Sequence, residues 1–353
     1  MGAVWGAVSR AASIMDDRPQ ALIVAGPTCS GKSALALDLA RAVGGVVINA
    51  DSMQVYRELR IVTARPSVAE EALAPHRLYG VRPAGEAGSV AWWREAALAE
   101  MAAAREAGLL PILCGGSGLY FAALREGIAS IPPIPETARA EARWLLAELG
   151  PKGLHDALAK VDQATAARLR PQDSQRVARA WEVWRGTGRG LVAWQNQGGQ
   201  NQGGQSQGSQ NEGSQSGGAG PAPWRFSAVL IDPPREDLRA AIAVRFAAMV
   251  AQGAVAEVAG LLALGLDPDL PAMRALGVPQ LAAYLAGTMT LEAACRRAEI
   301  VTGQYTKRQT TWFRHRELAP NGRAHTIHAR VAGLAQLSER ESGEIFRLIQ
   351  SAG

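Results

Sequence analysis

The chain has 353 residues, 48% apolar and 20% charged, with 37 Lys plus Arg against 32 Asp plus Glu for a net charge of +5. That length supports two or three domains of roughly 100 to 200 residues each, which excludes a small stapled scaffold, and no uncharged apolar run reaches the roughly 18 residues of a membrane-spanning helix. Three cysteines (Cys29, Cys114, Cys295) lie far apart without a C-x-x-C pair, which argues against a disulfide framework or zinc cluster and fits a reducing, cytoplasmic setting.

Residues 1–20 read as a loose N-terminal extension. The apolar stretch Met1 to Val8 is too short for a signal sequence, and its first charge, Arg10, follows rather than precedes it. Leu22 to Ala25 is the first predicted strand, and Ser33 to Val43 has helical spacing. Between them Gly26-Pro27-Thr28-Cys29-Ser30-Gly31-Lys32-Ser33 fits G-x-x-x-x-G-K-[ST] in the strand–loop–helix context that motif requires. Its glycines let backbone N–H groups and a helix N-terminus converge on phosphate oxygens, Lys32 adds a point charge, and the Ser33 hydroxyl is placed for Mg²⁺. Only 4 of the 37 basic residues are lysines, so a lysine here carries information. The motif predicts that a di- or triphosphate binds; it does not predict hydrolysis.

Val46 to Ile48 is a second strand and delivers Asp51-Ser52-Met53-Gln54-Val55-Tyr56-Arg57 at its C-terminal end, the edge where open α/β sheets bind ligands. Beside a phosphate loop, the Asp51 carboxylate can position a metal, act as a base or cap the following turn. A helix follows over Ser89 to Ala107, then a third strand over Leu109 to Cys114 ending in Gly115-Gly116. The alternation predicts an α/β fold in which a P-loop parallel sheet is flanked by helices. No strand here ends in the acid of an NTPase metal site. The nearest candidate, Val229-Leu230-Ile231-Asp232, runs into Pro233-Pro234 and looks more like a strand leaving the sheet.

After the core's first part (21–127), residues 128–194 lack strand patterns and predict an inserted all-helical subdomain. Gln195 to Gly220 holds nine Gly, eight Gln, four Ser and three Asn, a composition that predicts a disordered linker. The second part of the core, 221–353, offers a strand at Ala228 to Ile231 and is otherwise mainly helical. Within it Cys295 to Arg316 carries six basic residues against Glu299, so this one segment accounts for the whole excess of +5. It suits an RNA backbone or a solvated basic helix, and Tyr305, Trp312 and Phe313 are core or stacking residues.

These motifs in this order resemble the tRNA dimethylallyltransferases, also called tRNA isopentenyltransferases. The phosphate loop and Asp51 to Arg57 are similar to the family's first two motifs. Ile61-Val62-Thr63-Ala64-Arg65-Pro66 is similar to its T-A-K-P segment, with Arg65 where Lys is usual. Pro75 to Leu78, Cys114 to Tyr120, Asp173 to Arg176, Arg274 to Gly277 and Gln304 to Arg314 follow in family order.

The resemblance implies transfer of a dimethylallyl group from dimethylallyl diphosphate to N6 of the adenosine 3′ of a tRNA anticodon. It implies Asp51 as general base, with Ser117 (where most relatives have Thr) and Lys32 completing the catalytic set. Gly26, Pro27, Thr28, Cys29, Ser30, Gly31, Lys32, Ser33 and Arg245 would hold the diphosphate, and Ser33 a Mg²⁺ ion. Contacts to the anticodon stem-loop are implied for Asp51, Ser52, Met53, Gln54, Arg139, Gln175, Arg176, Arg179, Arg274, Gly277, Lys307, Arg308, Gln309 and Arg314. A cytoplasmic monomer without membrane association is expected. The chain departs from the family at Val278-Pro279-Gln280, where an aromatic contact is usual. It departs again at Ala241, where many relatives carry the first of two arginines four apart; Arg239 is a possible stand-in. Cys29 is either a small filler or a thiol whose pKa is lowered by nearby N–H groups. Two other readings remain open: an adenylate isopentenyltransferase acting on free AMP, ADP or ATP, and a P-loop kinase or NTPase. The helical insertion and the basic segment favour RNA over a free nucleotide, which needs neither.

Overall fold

A computed structural model describes residues 17–129, 131–200, 219–320 and 322–350. In chain order the elements are β1 (Gln20–Ala25), α1 (Lys32–Val43), β2 (Gly45–Asn49), α2 (Val68–Leu73), β3 (His76–Arg77), α3 (Val90–Glu106), β4 (Leu110–Gly115), α4 (Gly118–Arg125), α5 (Glu136–Val161), α6 (Gln163–Ala166), α7 (Ser174–Thr187) and α8 (Leu191–Gln200). They continue with β5 (Arg225–Ile231), α9 (Arg235–Ala251), α10 (Ala254–Ala263), α11 (Val278–Leu285), α12 (Leu291–Arg314), β6 (Ala324–Ile327) and α13 (Glu339–Gln350). The chain divides into two compact units, one running to Gly118 and resuming at Pro223, the other spanning Leu119–Ala222. The inserted unit therefore opens at Leu119, earlier than the boundary at 128 expected from composition.

The first unit carries one parallel sheet in the order β3-β2-β4-β1-β5-β6. Its central strands are near-continuous apolar runs because helices cover both faces, and β1 is buried from Ala21 to Ala25. Leu22, Val24, Leu35, Leu39, Val47 and Ile112 form one cluster that includes Ile327 and Ile345 from the far end of the chain. Two strands escaped the sequence reading. β3 is only His76–Arg77 and carries no apolar signal, and β6, Ala324–Ile327, lies in a stretch read as mainly helical. Since all six strands point the same way, every loop that leaves a strand's C-terminal end emerges at one edge of the sheet.

In the second unit α5 and α7 pack through Ala142, Leu154, Leu158, Val177 and Trp181. α5 bends at Gly150 (φ 66°), because Pro151 has no N–H to offer and its ring excludes the preceding helical turn. α8 runs to Gln200, so residues 195–200 are helical rather than disordered. The Val192 N–H donates to Thr165 Oγ1 (3.2 Å) and the Trp194 ring N–H to Thr187 Oγ1 (3.1 Å), anchoring a turn from which the helix propagates into the Gln-rich stretch. Ala219 pairs antiparallel with Ile128, so the linker's far end is also structured; its residues 201–218 and residues 1–16 lie outside the described residues. Among the described residues no single helix is long and apolar enough to cross a membrane.

Candidate active site

The phosphate loop joins β1 to α1. Cys29 (φ 69°) and Gly31 (φ 100°) occupy the left-handed region, the alternation that curls a backbone into an anion-binding concavity. Gly31 has no substitute: a Cβ there would lie 1.7 Å from the Val331 carbonyl oxygen. Ser30 is fully buried beneath Gly26, and its hydroxyl has no hydrogen-bond partner. Lys32 Nζ reaches the Pro27 carbonyl at 3.4 Å. Burial lowers the pKa of this ammonium, while Cys114 and Asp51 oppose the shift and Arg245 adds to it. A cavity of about 680 Å³ opens against the loop, its cations being Lys32, Arg60, Arg65, Arg245 and Arg330 and its apolar wall including Leu37, Val47 and Met249. Such a site suits a strongly anionic group attached to a small hydrocarbon. Ser33 lines the same cavity, and a serine hydroxyl is the kind of oxygen donor that Mg²⁺ takes alongside substrate phosphates. Among the described residues there is no cluster of three or more His, Cys, Asp or Glu that would hold a metal by itself.

Asp51 leaves β2 at the same edge. Its Oδ1 accepts from the Met53 N–H (2.9 Å), the turn cap being one of the three roles the sequence leaves open, and among the described residues nothing else bonds to the carboxylate. Sequence reasoning missed what holds this turn. Asn49, with no exposed surface, accepts the Asp51 N–H on Oδ1 (2.8 Å), and its Nδ2 donates to the carbonyls of Asp51 and Leu78 (3.0 Å each). The Trp93 ring N–H donates to the Asn49 carbonyl (2.7 Å). Gln54, expected to face tRNA, donates to the Thr63 and Ala64 carbonyls (3.0 and 2.9 Å) and ties the turn to the cavity wall. That wall is organised by Glu257 of α10, whose two oxygens accept the N–H groups of Arg60, Ile61 and Val62 at 2.7, 2.7 and 2.8 Å.

The third loop, after β4, is a packing solution. A Cβ on Gly115 would lie 2.0 Å from the Ala50 carbonyl oxygen, one on Gly116 2.2 Å from Gln309 Nε2, and one on Gly118 2.3 Å from the Trp312 ring. Ser117, expected to be catalytic, is buried, and its Oγ accepts the Ser52 N–H at 3.0 Å, so in this structure it positions the Asp51 turn. Gln309, expected to contact tRNA, is only 5% exposed. Its Oε1 accepts from the N–H and hydroxyl of Thr28 (2.9 and 3.1 Å), while its Nε2 donates to the Gly116 carbonyl (2.9 Å). It is a strut between two loops. One turn earlier on α12, Tyr305 is held with its phenol pushed up to about 12 by burial and by the Asp51 charge, its hydroxyl engaged with Gln309 and Ser117.

The remaining expected tRNA contacts divide by environment. Arg314 pairs bidentately with Asp232 (2.8 and 3.3 Å), which raises its pKa, and this occupies the one acid considered for an NTPase metal role. Arg274 pairs with Asp269, and Gly277 (φ 96°) starts α11 with Val62 and Phe246 packed against its Cα. Val278 is 1% exposed, a core residue unavailable for a substrate contact. Lys307 and Arg308 stand exposed on α12, Arg308 over the Tyr305 ring at 5.5 Å. In the second unit Gln175, Arg176 and Arg179 share an exposed face of α7, Arg176 and Arg179 in pairs with Asp173 and Glu182, and exposed Arg139 stands on α5 beside Glu136. Arg245, expected to hold the diphosphate, lines the cavity, its Nη1 3.8 Å from Cys29 Sγ and its Nη2 3.3 Å from the Thr63 carbonyl; Ala241 lines the same space with a methyl only. Arg239, the possible stand-in, does not line it.

The family profile described as IPP transferase matches residues 54–316. The tRNA dimethylallyltransferase of Granulibacter bethesdensis is 56% identical over 94% of this chain and 98% of its own length, and that of Gluconacetobacter diazotrophicus 55% over 94% of each. The chain belongs to the tRNA dimethylallyltransferase family. It is a transferase. Among solved structures, the full-length tRNA isopentenylpyrophosphate transferase of Bacillus halodurans is 28% identical with a TM-score of 0.61, covering 95% of this chain and 96% of that one. A eukaryotic dimethylallyltransferase captured acting on tRNA matches with a TM-score of 0.70 over 93% of this chain and 78% of its own, and at 22% identity it shows likeness of fold. For this family member, both the phosphate loop and the segment after Arg316 fall outside the range of the profile match.

Proposed function

We propose that this transferase moves a dimethylallyl group from dimethylallyl diphosphate to N6 of the adenosine 3′ of a tRNA anticodon, acting as a cytoplasmic monomer. The observation that carries the reading is the single sheet edge that holds a cationic phosphate loop after β1 and, after β2 with only β4 between, a carboxylate that among the described residues bonds to nothing but its own turn. The phosphate loop, Lys32 and Arg245 grip the diphosphate. As the N6 lone pair attacks the allylic carbon, the C–O bond breaks and its electron pair leaves on the diphosphate, where these fixed cations stabilise the growing charge. Asp51 accepts the proton that N6 sheds. Ser33 would hold Mg²⁺, which when bound supplies further neutralisation of the leaving group. Asn49 and Ser117 keep Asp51 aimed, and the apolar wall of Leu37, Val47 and Met249 gives the five-carbon chain a place to pack beside the phosphate loop.

The acceptor is taken to be RNA because exposed cations on α12 and, separately, on α7 suit a phosphate backbone, whereas a free nucleotide needs neither. The test incubates the purified protein with radiolabelled dimethylallyl diphosphate and either unmodified tRNA or AMP, followed by mass spectrometry of the nucleosides. Prenylated adenosine in the tRNA is expected. Label in AMP alone would overturn the acceptor, and release or transfer of the γ-phosphate from ATP would overturn the reaction class.

A further inference from the structure

The segment that follows β6, beyond the reach of the family profile, is bound to the phosphate loop. The Val331 N–H donates to the Ser30 carbonyl (3.1 Å), Arg330 Nε donates to the Cys29 carbonyl (2.9 Å), and the Leu334 N–H donates to Asp38 Oδ2 on α1 (2.8 Å). Val331 is 3% exposed and belongs to the central core cluster, so this strap has a fixed backbone. Its position follows from topology. β6 is the last strand of a parallel sheet, and what leaves its C-terminal end returns to the edge where the phosphate loop lies.

We propose that Arg330 is a diphosphate-binding residue of this transferase, paired with Arg245 as the second guanidinium of the leaving-group site. Three observations support it. Arg330 lines the same cavity as Lys32, Ser33 and Arg245. Among the described residues its side chain makes one hydrogen bond, through Nε to the Cys29 carbonyl, so both terminal nitrogens are uncommitted and it has no carboxylate partner. Asp237 shares with it an adjoining groove but forms no ion pair with it. Finally, the Nε bond fixes the plane of the guanidinium, and a pre-oriented fork loses little freedom on gripping two phosphate oxygens. Arg60, by contrast, is already tied to Glu71 at 3.2 Å.

The inference rests on the transferase reading, and its test separates the two. Binding of inorganic pyrophosphate is measured by calorimetry, and KM by steady-state transfer, for wild type, Arg330→Gln and Arg330→Lys, with thermal melts and tRNA affinity as controls. Arg330→Gln is expected to weaken pyrophosphate binding and raise KM for dimethylallyl diphosphate by roughly 10- to 100-fold, the range for a lost charge-assisted bond, with tRNA affinity unchanged. Arg330→Lys, which keeps the charge but cannot form the same Nε bond, is expected to lie closer to wild type. Equal weakening in both variants would reduce Arg330 to a latch on the phosphate loop, and no weakening in either would remove it from the site. Should Arg330→Gln fail to fold, Arg330→Met takes its place: weakened pyrophosphate binding in Arg330→Met with Arg330→Lys near wild type supports the charge role, and wild-type binding in Arg330→Met overturns it. A wild-type protein that neither binds pyrophosphate nor transfers the prenyl group would sink the transferase reading itself.

Discussion

Asp51 and Asn49 separate chemistry from support at the scale of single residues. Asp51→Asn keeps the Met53 N–H bond on its amide oxygen but cannot take a proton, so turnover is expected to fall by roughly 10²- to 10⁴-fold with pyrophosphate and tRNA binding and melting temperature unchanged. Asn49→Ala strands the Asp51 N–H and the Leu78 carbonyl in a site with no exposed surface, so it is expected to lose on the order of 2 to 4 kcal/mol of stability as well as turnover. Single-turnover rates beside chemical melts distinguish the two patterns. Lys32 gives a pH test. Its folded pKa is lowered by burial, so the ammonium that grips phosphate is lost below the ordinary lysine value of 10.5 as pH rises. Pyrophosphate affinity is expected to be complete below that folded pKa and to decline through it, while Lys32→Arg, charged throughout, moves the limb upward. Calorimetric titrations across alkaline pH read this directly, and an alkaline limb unmoved in Lys32→Arg would assign it to another group.

The loops and α12 mark how far the sequence could be read at the scale of elements. The phosphate loop and the turn after β2 were legible because each is a local pattern between a strand and a helix, and the structure finds them where their spacing puts them. Gln309 was not legible. A glutamine beside Lys307 and Arg308 on a basic helix reads as a polar surface residue, and only the approach of α12 to Thr28 and Gly116, both far away in sequence, makes it a buried strut. The same holds for Glu257 under the Arg60–Val62 backbone and for the strap at Arg330, whose partners are set by sheet order and not by neighbours in sequence. Gln309→Leu therefore distinguishes the readings. As a strut, its loss leaves the Thr28 N–H and the Gly116 carbonyl unpaired, and KM for dimethylallyl diphosphate is expected to rise roughly 10-fold with tRNA affinity kept, each lost buried partner being about 1 to 3 kcal/mol. As a tRNA contact, the pattern would be reversed: weaker tRNA binding at unchanged KM for the diphosphate.

For the whole molecule the question is where the excess of +5 is available to a polyanion. The stretch Cys295 to Arg316, most of α12 and the two residues after it, contains all of it arithmetically, yet its six cations are not equivalent. Arg314 is held bidentately by Asp232 and Arg296 by Glu292, acids that lie outside the stretch, so pairing spreads part of the apparent charge back into the protein. Lys307 and Arg308, like Arg297, are exposed and pair with no acid among the described residues, so they are able to displace counterions from RNA. Each phosphate contact steepens the fall of log affinity with log salt by about 0.7 to 0.9, so Lys307→Gln with Arg308→Gln is expected to make the slope for tRNA shallower by about 1.4 to 1.8. Arg314→Gln is expected to leave that slope unchanged and to cost stability instead, because it strands the buried Asp232 carboxylate. Filter-binding titrations from low to moderate salt measure both slopes. A slope shallower by about 0.7 to 0.9 in Arg314→Gln would mean that Arg314 exchanges Asp232 for phosphate on binding. In that event the ion pair seen in the free protein is a resting position of the arginine, and the charge of Arg314 joins that of Lys307 and Arg308 at the disposal of the RNA.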